Sequence, residues 1–257
     1  MEVKVEKLRI GYRLPYRELV LAEDVAFDLP TGSLTGLIGI NGSGKSTLLR
    51  TLAGLQPPLA GELLMGSARL PGISARHKAQ LLSVVLTEPP ASRNLTVREL
   101  VSLGRYPYTN WVGALSDADQ GFVEGALKQM ELEAIAGQAC HTLSDGQLQR
   151  AQIARALAQD TPLLLLDEPT THLDLYHKVR ILKSLRQIAH QHGKTVLFTT
   201  HEIDLAIQLC DRMLVLHDGA VTAGQPCELI QSGAFASLFP EDTVRFEPDS
   251  GRYRVNK

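Results

Sequence analysis

The segment SLTGLIGINGSGKSTLLRTLAG (residues 33–54) decides the fold class, because three patterns follow one another in it. Its first eight residues form an apolar run that is typical of a buried strand. From Lys45 onward the apolar residues have helical spacing, and Gly54 is a helix stop signal. Between the two lies the pattern GxxxxGKS, which begins at Gly39. A strand, a glycine-rich loop and a helix in this order predict a loop whose backbone amides bind phosphate groups.

The side chains of this loop suit a polyphosphate bound together with a divalent cation. Lys45 is placed to reach the β- and γ-phosphates, and the Ser46 hydroxyl is placed to bind Mg²⁺. The residues predicted to contact the phosphates are Gly39, Asn41, Gly42, Ser43, Gly44, Lys45, Ser46 and Thr47.

Two later strand ends carry residues that suit phosphate chemistry. LLLLDEPT (163–170) ends an apolar run with Asp167, which would orient Mg²⁺, and Glu168, which could act as a general base on the attacking water. TVLFTTH (195–201) ends with His201, which can hydrogen-bond a γ-phosphate. Taken alone, His201 is more simply explained as a solvent-exposed histidine at a strand end. It becomes a candidate because the chain also carries the phosphate loop and the Asp167-Glu168 pair.

A second candidate anion site lies at LSDGQLQR (143–150). Ser144 is a favourable helix N-cap, Gly146 permits close backbone approach, and the amides at a helix start attract anions. This stretch has the features of half a phosphate site, yet the chain already carries a complete phosphate loop.

The composition excludes several classes of protein. The chain has 257 residues and a net charge of −2, so no overall positive field recruits nucleic acid or anionic lipid. Its three cysteines form no CxxC pair, which argues against a disulfide framework or a zinc site and fits a reducing cytosol. No apolar stretch approaches the ~20 residues of a membrane helix, and the first residues have no signal-peptide pattern.

The order of patterns predicts one α/β domain over residues 1–257 with a mainly parallel sheet. Apolar strand-like runs lie at 3–10, 33–40, 81–86, 162–167, 195–200 and 213–219, with helical patterns between them. The stretch from about 90 to 155 contains helical patterns and an aromatic turn, RYPYTNWVG, so we predict a helical subdomain there. A C-terminal extension from about 225 to 257 resembles a helix followed by short strands.

This combination of motifs resembles the ATP-binding cassette (ABC) ATPases over about residues 3–225. Gly39–Thr47 resemble the Walker A loop, Leu163–Asp167 with Glu168 resemble Walker B and its catalytic glutamate, and Leu143–Gln147 resemble the signature motif. Leu173-Asp174 resemble the D-loop and His201 the switch histidine. The resemblance implies a P-loop, RecA-like core with an antiparallel portion at the N-terminus, ATP and Mg²⁺ as cofactors, and Lys45, Glu168 and His201 as catalytic residues.

In this family two cassettes associate head to tail, and the signature helix of one covers the ATP on the Walker A loop of the other. The resemblance therefore implies a homodimer in which Ser144, Gly146 and Gln147 bind the partner's ATP. Tyr12 stands where the family stacks an aromatic ring on adenine; alternatively it is only a strand-end tyrosine.

The stretch NLTVRELVSLGRYPYTNWVG (94–113) resembles the ATPases of importers for iron–siderophores, haem and vitamin B12. The implied partners are integral membrane permease subunits and, indirectly, a substrate-binding protein, with no nucleic acid. The implied location is peripheral, on the cytoplasmic face of the inner membrane. We expect Arg105, Tyr106, Pro107, Tyr108 and Trp111 to line the permease groove; alternatively these side chains only anchor the helical subdomain to the core.

Two positions depart from the family pattern. The signature reads LSDGQ, so Asp145 replaces a glycine, and we expect its carboxylate to turn away from the γ-phosphate. The Mg²⁺-contacting glutamine of the Q-loop is absent, and either Thr87 or Glu88 could replace it as an oxygen ligand.

Other classes remain alternatives. The chain could be the ATPase of another transporter class, or a soluble ABC ATPase without a transport role. It carries neither a second Walker A motif nor a long heptad insertion, which weighs against the soluble class. A P-loop kinase or GTPase is a third alternative, but LSDGQ would have no purpose in it.

Overall fold

The computed structural model describes residues 2–66, 68–87, 94–240 and 242–256. Its strands, in chain order, are β1 (Val3–Leu14), β2 (Arg17–Leu29), β3 (Leu34–Ile38), β4 (Ala60–Met65), β5 (Ala68–Arg69), β6 (Leu82–Val85), β7 (Leu163–Leu166), β8 (Thr195–Thr199), β9 (Arg212–His217), β10 (Ala220–Gly224), β11 (Val244–Glu247) and β12 (Arg252–Val255).

The α-helices are α1 (Lys45–Leu52), α2 (Ala75–Leu81), α3 (Val97–Ser102), α4 (Asp117–Gln129), α5 (Asp145–Ala158), α6 (Leu175–His192), α7 (Ile203–Leu209) and α8 (Pro226–Gln231). Short 3₁₀ segments occur at Leu70–Gly72, Leu103–Tyr108, Glu133–Ile135, Cys140–Thr142 and Ala236–Leu238. None of the described helices is both long and apolar enough to cross a membrane.

The central sheet has six strands in the order β10-β9-β3-β8-β7-β6. All neighbouring pairs are parallel except β10 with β9. Every residue of β3, β7 and β8 is buried, as expected for parallel strands that helices cover on both faces. The carboxyl ends of these three strands meet at one edge of the sheet, and this edge carries the phosphate loop, the Asp167-Glu168 pair and His201.

A second, antiparallel sheet has the order β2-β1-β4-β5. Its inner face shares an apolar core with α1 and with the central sheet, so the two sheets form one hydrophobic unit. The predicted fold class, a mainly parallel P-loop core with an antiparallel portion at the N-terminus, is confirmed.

Between β6 and β7 the described chain is helical. The three helices α3, α4 and α5 each begin with a reciprocal capping box, at Thr96/Glu99, Ser116/Asp119 and Ser144/Gln147. They pack on one another through buried side chains such as Val101, Leu127 and Ile153.

The segment Leu103–Tyr108 lies directly against α5. A Cβ atom built at Gly104 would lie 2.1 Å from the backbone oxygen of Arg155, so only glycine permits this approach. Next to it, Arg105 is buried and its Nε donates to Asp119 Oδ1 at 2.8 Å. Its Nη1 donates to the backbone oxygen of Ala158 at 2.9 Å. These contacts join the segment, α4 and α5 into one block.

The C-terminal segment after β10 contains α8 and the hairpin of β11 with β12. Four aromatic side chains, Phe235, Phe239, Phe246 and Tyr253, form a cluster with ring centroids 5.0–5.2 Å apart between contacting pairs. We call this group the tail cluster. Phe235 and Phe246 are buried and belong to the main core, so the segment is folded onto the domain.

Candidate functional site

The phosphate loop connects β3 to α1, and its backbone has the left-handed conformation that glycine permits. Gly42 and Gly44 have φ angles of 79° and 108°, and Gly44 is the N-cap of α1. The helix starts at Lys45, so its first amides point into the loop. The Ser43 hydroxyl is buried without a hydrogen-bond partner among the described residues. A buried donor of this kind in an amide-rich loop fits a phosphate oxygen.

Lys45 is held inside this loop. Its Nζ donates to the backbone oxygens of Gly39 at 2.9 Å and Ile40 at 3.1 Å. Burial lowers the pKa of Lys45, while the carboxylates of Glu168 and Asp167 act in the opposite direction. The ammonium group, the loop amides and the two carboxylates therefore share one electrostatic environment.

Asp167 follows β7 and is buried at the base of the loop. Its Oδ1 accepts hydrogen bonds from Ser46 Oγ at 3.1 Å and from Thr199 Oγ1 at 2.7 Å. Hydroxyl and carboxylate oxygens are ligands that Mg²⁺ takes, so Ser46 and Asp167 fit this ion. Among the described residues, no group of three or more His, Cys, Asp or Glu side chains could hold a metal ion. Water and phosphate oxygens would supply most of the remaining ligands, which is the usual arrangement for Mg²⁺ in nucleotide sites.

Glu168, next to Asp167, has an unusual backbone conformation and its own set of contacts. Its φ angle of 47° is in the left-handed region, which is uncommon for a residue with a side chain. Its Oε1 lies 2.8 Å from His201 Nε2, and its Oε2 accepts from Thr171 Oγ1 at 3.0 Å. The backbone amide of Glu168 donates to Thr199 Oγ1 at 2.8 Å. A left-handed backbone and a carboxylate held by two hydrogen-bond contacts are typical of a functional position.

These residues surround one cleft of about 330 Å³. Its lining residues are Tyr12, Leu21, Asn41, Gly42, Gly44, Lys45, Ser46, Thr47, Glu168 and His201. Tyr12 is 44% exposed, and its hydroxyl lies 3.0 Å from Thr47 Oγ1, so its ring borders the loop. Leu21, Thr171 and Thr199 were not predicted, because a leucine or threonine within a strand or turn carries no sequence signal of its own.

The signature residues Ser144, Gly146 and Gln147 lie outside this cleft. Ser144 caps α5, with its Oγ accepting from the Gln147 amide at 3.3 Å and its own amide donating to Gln147 Oε1 at 2.9 Å. A Cβ atom at Gly146 would lie 3.5 Å from Leu173 Cδ2, so this helix start lies beside the D-loop of the same chain. Asp145 is exposed at the first position of α5. None of the signature residues lines the cleft that contains Lys45.

Of the two candidate Q-loop residues, Thr87 is among the described residues and Glu88 is not. Thr87 Oγ1 donates to the backbone oxygen of Asp167 at 3.3 Å, which places Thr87 at the strand edge next to the site. Glu88 lies outside the described residues.

A groove of about 500 Å³ lies between α2 and the aromatic turn of the helical region. Its lining residues are Ala75, Arg76, Ala79, Tyr106, Pro107, Thr109, Asn110 and Trp111. Arg76 Nε donates to the backbone oxygen of Pro107 at 3.1 Å and so joins the two walls. Tyr106 is 74% and Trp111 97% exposed.

The expectation that Arg105 and Tyr108 line this groove is wrong. Arg105 is only 5% exposed, because it pairs with Asp119 inside the helical block. The ring of Tyr108 lies under its guanidinium, 4.0 Å from the ring centroid to Cζ. These two side chains anchor the insertion, while Tyr106, Pro107 and Trp111 border the groove.

Comparison with known proteins agrees with this geometry. Residues 22–171 match the model of the ABC transporter family. The achromobactin transport ATP-binding protein of Dickeya dadantii is 39% identical over 237 residues, which cover 92% of this chain and 88% of that protein. The iron(3+)-hydroxamate import ATP-binding protein of Bacillus subtilis is 38% identical over 241 residues (93% and 88%). The ferric enterobactin transport ATP-binding protein of Escherichia coli is 34% identical over 235 residues (91% and 85%).

Solved structures show the same relationship. The ATPase chain of a metal-chelate type ABC transporter in an inward-facing conformation superposes with a TM-score of 0.80 at 29% identity, covering 92% of this chain and 88% of that chain. A dimeric ATP-binding cassette in a post-hydrolysis state, bound to ADP and phosphate, superposes with a TM-score of 0.76 at 28% identity (87% and 98%). The chain therefore belongs to the ABC transporter family. It is an ATP-binding cassette and an ATPase.

Proposed function

We propose that this ATPase powers an importer of iron(III) chelates, and that Glu168 is the general base of its hydrolytic reaction. The observation that supports the role of Glu168 best is its placement at the mouth of the phosphate loop, held by His201 and Thr171. A carboxylate fixed there can orient a water for attack on the γ-phosphate and accept its proton.

The other residues bind and neutralise the triphosphate. The loop amides and Lys45 hold the β- and γ-phosphates, and the ring of Tyr12 stacks on the adenine. Ser46 and Asp167 would hold Mg²⁺, with an oxygen of Thr87 or Glu88 as a further ligand. When bound, this ion offsets negative charge on the phosphate oxygens. His201 donates a hydrogen bond to the γ-phosphate and, through its bond to Glu168, links the presence of that phosphate to the position of the base.

A second copy of the chain completes the site. Ser144, Gly146 and Gln147 have the features of a phosphate-binding helix start, yet they do not line the cleft of their own chain. In a head-to-tail homodimer each signature helix would cover the ATP of the other copy, which is consistent with the dimeric state of the cassette bound to ADP and phosphate. Because ATP bridges the two copies only when they are closed, binding favours closure and hydrolysis favours opening.

The work of this cycle is transmitted to a permease on the cytoplasmic face of the membrane. The groove of Tyr106, Pro107 and Trp111 supports this role, because exposed aromatic side chains beside a cleft are typical of docking surfaces. The iron(3+)-hydroxamate and ferric enterobactin relatives favour iron(III) chelates as cargo over haem or a cobalamin. A different transporter class, or a soluble ABC role, remains the alternative.

The variant Glu168→Gln tests the role of the base. It removes the proton acceptor but keeps the shape, so we expect turnover to fall by roughly 10²-fold or more while ATP still binds. ATP should also drive this variant into dimers that are visible by light scattering. Glu133→Gln, at an exposed glutamate of a 3₁₀ segment, is the matched control and should keep normal turnover. Near-normal turnover of Glu168→Gln would refute the assignment.

The same variant tests the cargo when it replaces the natural chain in cells. Uptake of iron-55 as a ferric hydroxamate should be lost, while uptake of labelled cobalamin should continue through its own system. Loss of cobalamin uptake with intact iron uptake would assign the other cargo, and normal uptake of both would favour a role outside import.

A further inference from the structure

The C-terminal segment reaches the catalytic histidine. A cavity of about 290 Å³ is lined on one side by the run His201–Asp204 and on the other by Phe239, Val244 and Tyr253. The histidine that contacts Glu168 therefore lines one cavity together with two members of the tail cluster, Phe239 and Tyr253, although they are far apart in sequence.

His201 is connected to the fold by a short turn and a short helix. The Glu202 amide donates to Thr200 Oγ1 at 2.9 Å, and the Glu202 carboxylate forms an ion pair with Lys178. Helix α7 begins immediately afterwards at Ile203, without a side-chain cap at its N-terminus. Any displacement of α7 therefore moves the turn that carries His201.

Helix α7 lies at the surface of the domain and is only partly buried by it. Of its seven residues only Ala206 is buried, and its larger apolar side chains are half-buried against the core. The C-terminal hairpin lies on this helix: a Cβ atom at Gly251 would be 3.5 Å from Ile207 Cγ2. The hairpin thus covers an apolar surface that would otherwise contact water, and it fixes the helix position by doing so.

Tyr253 is the central residue of this contact. Its ring lies 5.0 Å from the rings of both Phe239 and Phe246, and its hydroxyl donates to the backbone oxygen of Phe235 at 2.7 Å. Burial raises the pKa of Tyr253, and the nearby Asp204 carboxylate raises it further, so the phenol stays protonated and keeps this bond. Asp204 belongs to the first turn of α7.

We propose that Tyr253, with the tail cluster around it, is a positioning element for His201 and thereby sets how fast bound ATP is hydrolysed. Tyr253 itself does not line the cleft that contains Lys45. It keeps α7, and hence the His201 side chain, in register with Glu168. This inference rests on the proposed role of His201 at the γ-phosphate.

The kinetic test compares three variants of the full chain. In Tyr253→Ala we expect kcat to fall about tenfold, because small displacements of a catalytic group are costly, while the Kd for ATP stays within about twofold. Tyr253→Phe keeps the ring contacts and should restore most of kcat. Arg254→Ala changes the exposed neighbour on the same strand and should leave both constants unchanged. If Tyr253→Ala does not fold, Tyr253→Leu keeps apolar volume and provides the same comparison.

A double-mutant cycle separates positioning from general destabilisation. If Tyr253 acts through His201, Tyr253→Ala should cause no further loss of kcat when added to His201→Ala. A loss of the same size in both backgrounds, wild-type kcat in Tyr253→Ala, or equal losses of kcat and ATP affinity would each overturn the inference. Normal turnover in His201→Ala or Glu168→Gln would instead refute the proposed function, so the two failures are distinguishable.

Discussion

At the scale of single residues, the site depends on two adjacent acids that have different surroundings. Asp167 is buried and accepts hydrogen bonds from Ser46 and Thr199, whereas Glu168 faces the cleft and contacts His201. The two carboxylates have no bonding partner in common, although their residues are adjacent in sequence. The sequence pattern predicts both acids, because they follow an apolar run. It does not predict the hydroxyl of Thr199, which comes from another strand and joins the two acids by bonding each of them.

Asp145 permits a test of charge at the signature helix. A carboxylate at the first helical position favours the helix but would repel the γ-phosphate of a partner's ATP. In a Glu168→Gln background we expect Asp145→Asn to tighten ATP-driven dimerisation roughly two- to fivefold, since an exposed charge contact is worth up to about 1 kcal/mol. Analytical ultracentrifugation at fixed ATP would measure this.

Asp117→Asn is the matched control for Asp145→Asn. Asp117 has the same first position in α4, directly after an N-cap serine. Both substitutions should lower Tm by similar small amounts, but only Asp145→Asn should change dimerisation. Equal dimerisation of the two variants and their parent would show that the charge of Asp145, even turned away from the γ-phosphate, does not weaken nucleotide-driven dimerisation.

At the scale of elements, the sequence predicts those strands and helices in which one hydrophobic pattern continues along the whole element. The buried strands β3, β7 and β8 and the helices α5 and α6 were predicted, because continuous apolar runs or regular helical spacing mark them. Strands β2 and β4 and helix α2 were not. In β2, charged residues and register shifts against β1 interrupt the alternation, and α2 has no buried residue that would give it an apolar stripe.

The outcome for Arg105 shows a further limit of the sequence. An arginine within an aromatic turn suggests a docking surface, yet this one is an internal anchor. Its partner Asp119 is fourteen residues away on α4, and only the packing of α4 against the turn brings the two charges together. Tyr106 and Trp111 have similar sequence surroundings but remain exposed.

The ion pair of Arg105 with Asp119 should matter for stability. Arg105→Ala leaves a buried carboxylate without its cation, and we expect the free energy of unfolding to fall by about 3–5 kcal/mol in urea titrations. Arg98→Ala breaks the exposed pair with Glu124 in the same helical region and should cost less than about 1 kcal/mol. Similar losses in the two variants would mean that Arg105 is not an internal anchor.

At the scale of the whole molecule, the question is why one chain carries two phosphate-binding elements. The phosphate loop, Glu168 and His201 line one cleft, and Ser144 does not. The resemblance of the motifs to the ABC ATPases implies that each element is half of a site. The predicted contact would lie between two copies of the chain, so an experiment with mixed copies tests it.

Mixing two inactive variants tests the shared site directly. Lys45→Ala removes the phosphate-loop half and Ser144→Arg removes the signature half, so each variant alone should be inactive. In a mixed dimer one site has both halves intact. At equal concentrations half of the dimers are mixed, so we expect up to about a quarter of the wild-type ATPase rate.

The control for the mixing experiment pairs Lys45→Ala with Glu168→Gln. Both substitutions affect the same half, so no mixed dimer has an intact site and no activity should return. No recovery with Ser144→Arg, or recovery in the control pair, would show that a site is completed within one chain.

The close contact at Gly104 has a mechanical consequence. No side chain separates the aromatic turn from α5, and the guanidinium beside it ties both to α4. Such close packing and buried hydrogen bonding favour a stiff block. We therefore expect the two ends of this block to move together. One end carries Ser144, and the exposed rings of Tyr106 and Trp111 lie near the other. If a permease docks at the rings and a partner's nucleotide at the helix start, as proposed, this block would couple movement at one surface to movement at the other.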